Sequence, residues 1–236
     1  MQTLKLLLSY CCREIEIEQM DVVTVFLNGK VISEIYVNQP LGFVKDNKRV
    51  YKLNRALYGL KESPRAWYEC FDAYMREQEF QKCEYDYCFY YKVDNNESIF
   101  ILLFVDDILI CCKDKEKISK EKVKLSSRFK MKNIGIVNSY VGMEINYDYS
   151  DENTITLSQT GYIETLAKRY TLETAKPYET PIETKLKLEP ADITNNNVKF
   201  RNLLGALLYI SSGTRPDIAF SVNYLSRFQN YYNETH

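Results

Sequence analysis

The most apolar stretch of the chain, Ile99-Phe-Ile-Leu-Leu-Phe-Val-Asp-Asp-Ile-Leu-Ile-Cys-Cys112, is interrupted at its middle by two adjacent aspartates, Asp106 and Asp107. Apolar residues on both sides read as two short strands with the acids at the turn between them. Carboxylates beside so much hydrocarbon are costly unless something positive compensates them. A hairpin tip that offers both acids to a divalent cation supplies that compensation. A polar Asp-Asp turn on a surface is the plainer alternative.

The rest of the chain narrows the choice. With 236 residues, 45% hydrophobic and 27% charged, it has the composition of a globular protein with a normal core. Its 20 tyrosines suit strands and could serve as stacking surfaces for bases. The acid pair breaks the best membrane-span candidate, and the apolar start Leu4–Leu8 is too short for a signal peptide, so no membrane role and an intracellular location are expected. Seven cysteines without a C-x-x-C pair, and a single histidine, argue against a zinc site and a disulfide framework. Net charge is −1, but residues 113–132 carry nine basic against three acidic side chains. That stretch reads either as a solvated helix face or as a stripe facing phosphates.

Periodicity predicts a helix over about 4–13 and an extended segment from Glu14 that runs on to Phe26. Short strands are expected at 34–37 and 49–53. A helix opens at Ser63-Pro64, with serine as cap, and runs to about Glu79. Strands at 85–93 and 98–105 pair around Asp94-Asn-Asn96, Ile108–Cys112 completes the central hairpin, and a basic helix follows to Phe129. A second hairpin joins 140–147 to 154–157 through Ser150-Asp-Glu-Asn153. Helices near 159–169, 200–212 and 216–228 flank a polar linker over 176–197. The fold class is therefore α+β, with a mainly helical last third.

A third acid sharpens the reading. Asp21 lies 85 positions before Asp106, followed by the apolar Val22-Val-Thr-Val-Phe26. Three strand-end carboxylates can clamp two divalent ions about 3.5–4 Å apart. Oxygen-only ligands favour Mg²⁺ or Mn²⁺ over zinc.

Gln19-Met-Asp-Val-Val-Thr-Val-Phe-Leu-Asn-Gly29, Leu57-Tyr-Gly-Leu-Lys-Glu-Ser-Pro-Arg-Ala-Trp67 and Phe104-Val-Asp-Asp-Ile-Leu-Ile110 resemble three successive motifs of copia-type retrotransposon reverse transcriptases. Gly213-Thr-Arg-Pro-Asp-Ile-Ala-Phe220 resembles a further one. The resemblance implies a right-hand polymerase palm over 1–148 with a partial fingers segment at about 28–62, and a thumb-like region over 149–236. It implies Asp21, Asp106 and Asp107 as catalytic, metal-binding carboxylates for two Mg²⁺ or Mn²⁺ ions. Phe26 matches the bulky residue that screens the sugar 2′ position. Tyr58, Gly59, Lys61 and Phe104 match positions around the incoming nucleotide, and Tyr140, Gly142 and Met143 match the primer grip. The implied partners are an RNA or DNA template with its primer, and deoxynucleoside triphosphates.

The chain departs from the family pattern at Val25, where alanine is usual, at Glu62, where glutamine is usual, and at Phe104, where tyrosine is commoner. Glu62 adds negative charge near a site that must attract polyphosphate. The basic fingers segment and the ribonuclease H region of the family have no counterpart, so the chain reads as a fragment of a longer polyprotein. A truncated, catalytically silent relic that only binds nucleic acid or protein is the alternative. A metal-dependent phosphohydrolase built on three acids is a further one, but it leaves the other motifs without a role.

Overall fold

The apolar run around Asp106 becomes the centre of a six-stranded antiparallel sheet in the computed structural model, which describes residues 1–11, 15–46, 48–94, 97–148, 154–183, 185–191, 199–233 and 235–236. The turn residues Asn95 and Asn96, the join at 150–153, Cys12 and part of the expected linker lie outside the described residues. In chain order the elements are α1 (Gln2–Cys11), β1 (Glu16–Val22), β2 (Tyr36–Val37), β3 (Tyr51–Lys52), α2 (Ser63–Glu77), β4 (Gln81–Lys82), β5 (Phe89–Asp94), β6 (Glu97–Phe104), β7 (Asp107–Cys112) and α3 (Lys115–Arg128). Then follow β8 (Met131–Ile136), β9 (Ser139–Tyr140), β10 (Met143–Asp148), β11 (Thr154–Ser158), α4 (Thr160–Arg169), α5 (Phe200–Gly213) and α6 (Ala219–Ser226). Short 3-10 helices occupy Val25–Asn28 and Pro216–Ile218. The protein is thus an α+β structure, in two compact units.

Residues 2–137 form one unit, whose sheet runs in the order β4-β5-β6-β7-β1-β8. Period-2 alternation sends Met20, Val22, Ile101, Leu103, Ile108, Ile110 and Cys112 to one face, where Trp67, Phe71 and Met75 of α2 and Ile118 and Leu125 of α3 cover them. Leu102, Leu109 and Cys111 point to the other face and are equally buried. There Cys11 of α1 makes a sulfur hydrogen bond with Cys111, and the Tyr10 ring meets Phe100 edge-on at 5.5 Å. With helices on both faces, the central strands read as nearly continuous apolar runs.

Two local expectations change. The extended segment expected to reach Phe26 ends at Val22, because Thr24 takes a left-handed φ of 55° and starts the 3-10 helix. Ser63 does not cap α2. It is fully buried, and its hydroxyl donates to the Leu57 carbonyl at 2.5 Å, tying the helix start to the loop before it. β8 has no counterpart among the expected strands, since Met-Lys-Asn-Ile-Gly-Ile is an edge strand paired only with β1.

The basic stretch is partly neutralised within the fold. Lys122 pairs with Glu18, Lys115 with Glu16 and Lys117 with Glu97, tying α3 and its approach to the sheet, while Lys124 pairs with Glu121. A second ionic cluster anchors α2. Asp72 accepts from the Tyr90 hydroxyl at 3.1 Å and pairs with Lys82 at 3.0 Å and Arg76 at 2.6 Å. Burial alone raises the Asp72 carboxyl. The Lys82 and Tyr90 hydrogen bonds and the two cations outweigh burial and hold it below the usual range.

The other unit comprises residues 138–148 and 154–236. Its sheet has the order β11-β10-β9, and its helices bury Phe200, Leu204 and Val222 with Tyr232. The Phe200 and Tyr232 rings stack at 4.8 Å. Within Arg-Pro-Asp, the Arg215 guanidinium forks onto the Asp217 carboxylate with contacts of 2.6–3.1 Å. No helix among the described residues is long and apolar enough to cross a membrane.

Candidate active site

Sheet register sets two of the three acids face to face, with Asp106 at the adjoining turn. β1 and β7 run antiparallel with Asp21 directly opposite Asp107, and the Val22 amide donates to the Asp106 carbonyl at 2.8 Å. Opposed side chains in an antiparallel pair lie on one face with Cβ atoms about 4.5–5.5 Å apart, and like charges placed so repel. Such a pair has a built-in demand for positive charge. On the other side of β1, Lys132 of β8 lies opposite Asp21.

Asp107 is partly buried. Burial pushes its carboxyl above the usual range, and the charges of Asp106 and Asp21 push the same way. Opposing them, the Gln19 side-chain amide donates to Asp107 at 2.7 Å. Gln19 is 7% exposed and sits two residues before Asp21, so it shares the face of both acids. The sequence offered one signal for it, an amide two positions before the acid, which period-2 alternation sets on the same face.

The chemistry of the donor set suits a hard divalent cation, since all three groups are carboxylates and no histidine or thiol competes. As the side chains stand, no group of three or more His, Cys, Asp or Glu among the described residues is positioned to hold a metal ion.

The other candidates fall into separate places. Phe26, on the 3-10 helix after β1, meets the Tyr58 ring at 4.5 Å, with the planes 62° apart. Tyr58 is itself exposed. Gly59 has φ +94° with open space around it, and Lys61 is exposed. Phe104 pairs with Asp107 across the hairpin and is half exposed. Glu62 accepts from the Ser33 hydroxyl at 3.0 Å, while its other carboxylate oxygen is buried with no partner. Arg65 is tied to Glu69 at 2.8 Å on an exposed face. Tyr140, Gly142 and Met143 lie in the second unit, at the turn between β9 and β10. There Tyr140 and Met143 are buried.

The turn between β6 and β7 holds a feature that sequence reasoning missed. Val105 has φ 55°, and the Trp67 indole N–H donates to its carbonyl at 2.7 Å. The β9–β10 turn repeats the arrangement. Val141 has φ 51°, Gly142 has φ 73°, and the Tyr209 hydroxyl donates to the Val141 carbonyl at 2.6 Å.

Asp106 thus sits on a two-residue hairpin turn, and Asp107, the first residue of β7, faces a third acid, Asp21, across an antiparallel strand pair. The chain belongs to the reverse transcriptase (RNA-dependent DNA polymerase) family, whose model matches residues 1–184. It is 41% identical over 226 residues to the retrovirus-related Pol polyprotein from transposon TNT 1-94 of Nicotiana tabacum, covering 91% of this chain and 17% of that protein. It is 34% identical to the retrovirus-related Pol polyprotein from transposon RE1 of Arabidopsis thaliana, covering 93% and 15%. It is 32% identical to the putative transposon Ty5-1 protein of Saccharomyces cerevisiae, covering 89% and 68%. The chain therefore spans about a sixth of the two plant polyproteins it matches. No solved structure matches it.

Proposed function

We propose that the chain carries the polymerising centre of an RNA-directed DNA polymerase, in which a primer 3′-hydroxyl attacks the α-phosphate of a deoxynucleoside triphosphate and pyrophosphate leaves. The observation that carries this reading is the opposition of Asp21 and Asp107 across β1 and β7, with Asp106 at the adjoining turn. Asp21, Asp106 and Asp107 would hold a pair of Mg²⁺ or Mn²⁺ ions, whose chemistry is to lower the pKa of the attacking hydroxyl and neutralise the leaving phosphates. Residues 1–148 serve as palm with the fingers part at about 28–62, and residues 149–236 serve as a thumb-like region.

The residues of the chain do the positioning. Gln19 holds one oxygen of Asp107 and so orients that carboxylate. Phe26, buttressed by Tyr58, blocks space beside the sugar 2′ carbon and excludes a hydroxyl there. Tyr58, Gly59 and Lys61 line the nucleotide, with Gly59 allowing close backbone approach. The β9–β10 turn, with Gly142 at its bend and the buried Tyr140 and Met143 supporting it, serves as primer grip. Contacts to template and primer are mainly to backbone phosphates, so binding weakens as salt rises.

Primer extension on an RNA template with Mg²⁺ or Mn²⁺ tests the proposal, with Asp106→Asn as comparison. Template-dependent extension by the native chain alone supports it. Equal signal from both proteins, or phosphate release from nucleotides without a template, overturns it.

A further inference from the structure

Val105 is the first of two central residues in the turn that carries Asp106, and its φ of 55° lies in the left-handed region. Two-residue hairpin turns favour glycine, asparagine or aspartate where φ is positive, and a β-branched residue there is a true outlier. Such conformations persist only where the surroundings over-determine them. Two bonds from outside the hairpin do so here. The Val22 amide holds the Asp106 carbonyl, and the Trp67 indole N–H holds the Val105 carbonyl at 2.7 Å.

Trp67 is built for one task at this point. It is 2% exposed, and its ring is fixed by Phe71 at 5.5 Å and Phe129 at 5.2 Å. An indole donates and does not accept, so a ring wedged in this way offers its N–H in one direction only. It also joins two sequence motifs, since α2 delivers Trp67 from the Ser-Pro-Arg-Ala-Trp segment to a turn 38 residues away.

We infer that Trp67 is a positioning residue: its indole N–H clamps the strained Val105–Asp106 turn and thereby fixes Asp106 and Asp107 for nucleotidyl transfer. The inference rests on the polymerase reading above. Strain and clamp are coupled. A turn that glycine could adopt freely has no need of the indole, whereas a valine turn without the indole relaxes and carries both acids away.

Trp67 is the single tryptophan of the chain, so its indole ¹⁵N–¹H signal is unambiguous. In the labelled full chain that proton is expected to exchange slowly with solvent, and to broaden on addition of Mn²⁺ as the ion binds beside Asp106. Rapid exchange overturns the clamp whatever the activity. Trp67→Phe keeps an aromatic ring and loses the donor. It is expected to lower kcat for primer extension and the Mn²⁺ affinity read by electron paramagnetic resonance, each about tenfold, the scale of one lost hydrogen bond. The KM for deoxynucleotide stays within about twofold, because no nucleotide contact is removed. Adding Val105→Gly to Trp67→Phe restores most of both losses. Should Trp67→Phe not fold, 3-benzothienylalanine at position 67 retains the ring shape with sulfur in place of the N–H. A native chain that extends primers, with donor-free variants that match it or that Val105→Gly does not rescue, overturns the clamp and leaves the polymerase reading standing. A native chain that neither extends primers nor shows Mn²⁺ broadening overturns both.

Discussion

Two hairpin turns of the chain open on a strained valine, and the difference between them is instructive. At Val105–Asp106 and at Val141–Gly142 a valine takes a left-handed φ, and an aromatic donor from a distant helix holds its carbonyl. The second turn has glycine at its other central position, which accepts positive φ freely. The first has Asp106 there, an acid that an ideal turn would not require. Both valines carry the left-handed strain, and only the first stands beside the groups assigned to chemistry. The donors differ as well. The Trp67 indole is buried among rings, whereas Tyr209 reaches its acceptor through a flexible hydroxyl and packs edge-on against Tyr162 at 5.2 Å.

Substitutions that break the likeness should rank in a definite order. Asp106→Asn leaves the first turn's shape intact and removes its charge. Primer extension should fall by about 10²–10³-fold, the scale of deleting one preorganised electrostatic group. Asp72→Asn loosens α2, which carries Trp67, and leaves Lys82 and the Tyr90 hydroxyl without their anion. Denaturant unfolding of the first unit should show a loss of about 3 kcal/mol at pH 7, with the second unit unchanged. Since the folded Asp72 carboxyl lies below its unfolded value, its stabilisation is full above about pH 4 and disappears as pH falls through the folded pKa. The Asp72→Asn variant should therefore lose this acid sensitivity.

The smaller effects belong to the second turn. A Cβ at Gly142 would stand 2.7 Å from the Tyr209 hydroxyl, at φ +73°. Gly142→Ala should cost about 2 kcal/mol in the stability of that unit, from strain and the displaced hydrogen bond together. Val141→Asn places a residue that tolerates left-handed φ before Gly142 and restores the preferred Asn-Gly pair. It should raise the melting temperature by a few degrees, equivalent to about 1 kcal/mol. The comparison fails if Val141→Asn destabilises the protein.

Much of the frame was legible in the chain itself. The apolar run around Asp106 announced β6 and β7, and Ser63-Pro64 announced α2 because proline pre-sets the first turn. The capping role expected of Ser63 fails because a serine hydroxyl competes equally well for nearby carbonyls, and only the course of residues 57–62 decides which. The basic stretch could be assigned to a helix, but its neutralisation by Glu16, Glu18 and Glu97 depends on partners contributed by β1 and β6. Gln19, Trp67 and Val105 were all in view as letters within recognised motifs, without any hint of the bonds that join them.

Local pattern, in other words, determined most of the strands and helices, though not β8 or the end of β1, because side-chain alternation and turn chemistry act over a few residues. Tertiary structure alone decided that Asp21 faces Asp107, that Gln19 holds the latter, and that an indole steadies a strained valine. Those outcomes depend on strand register and helix placement, set by the summed burial of many distant side chains and written at no single position.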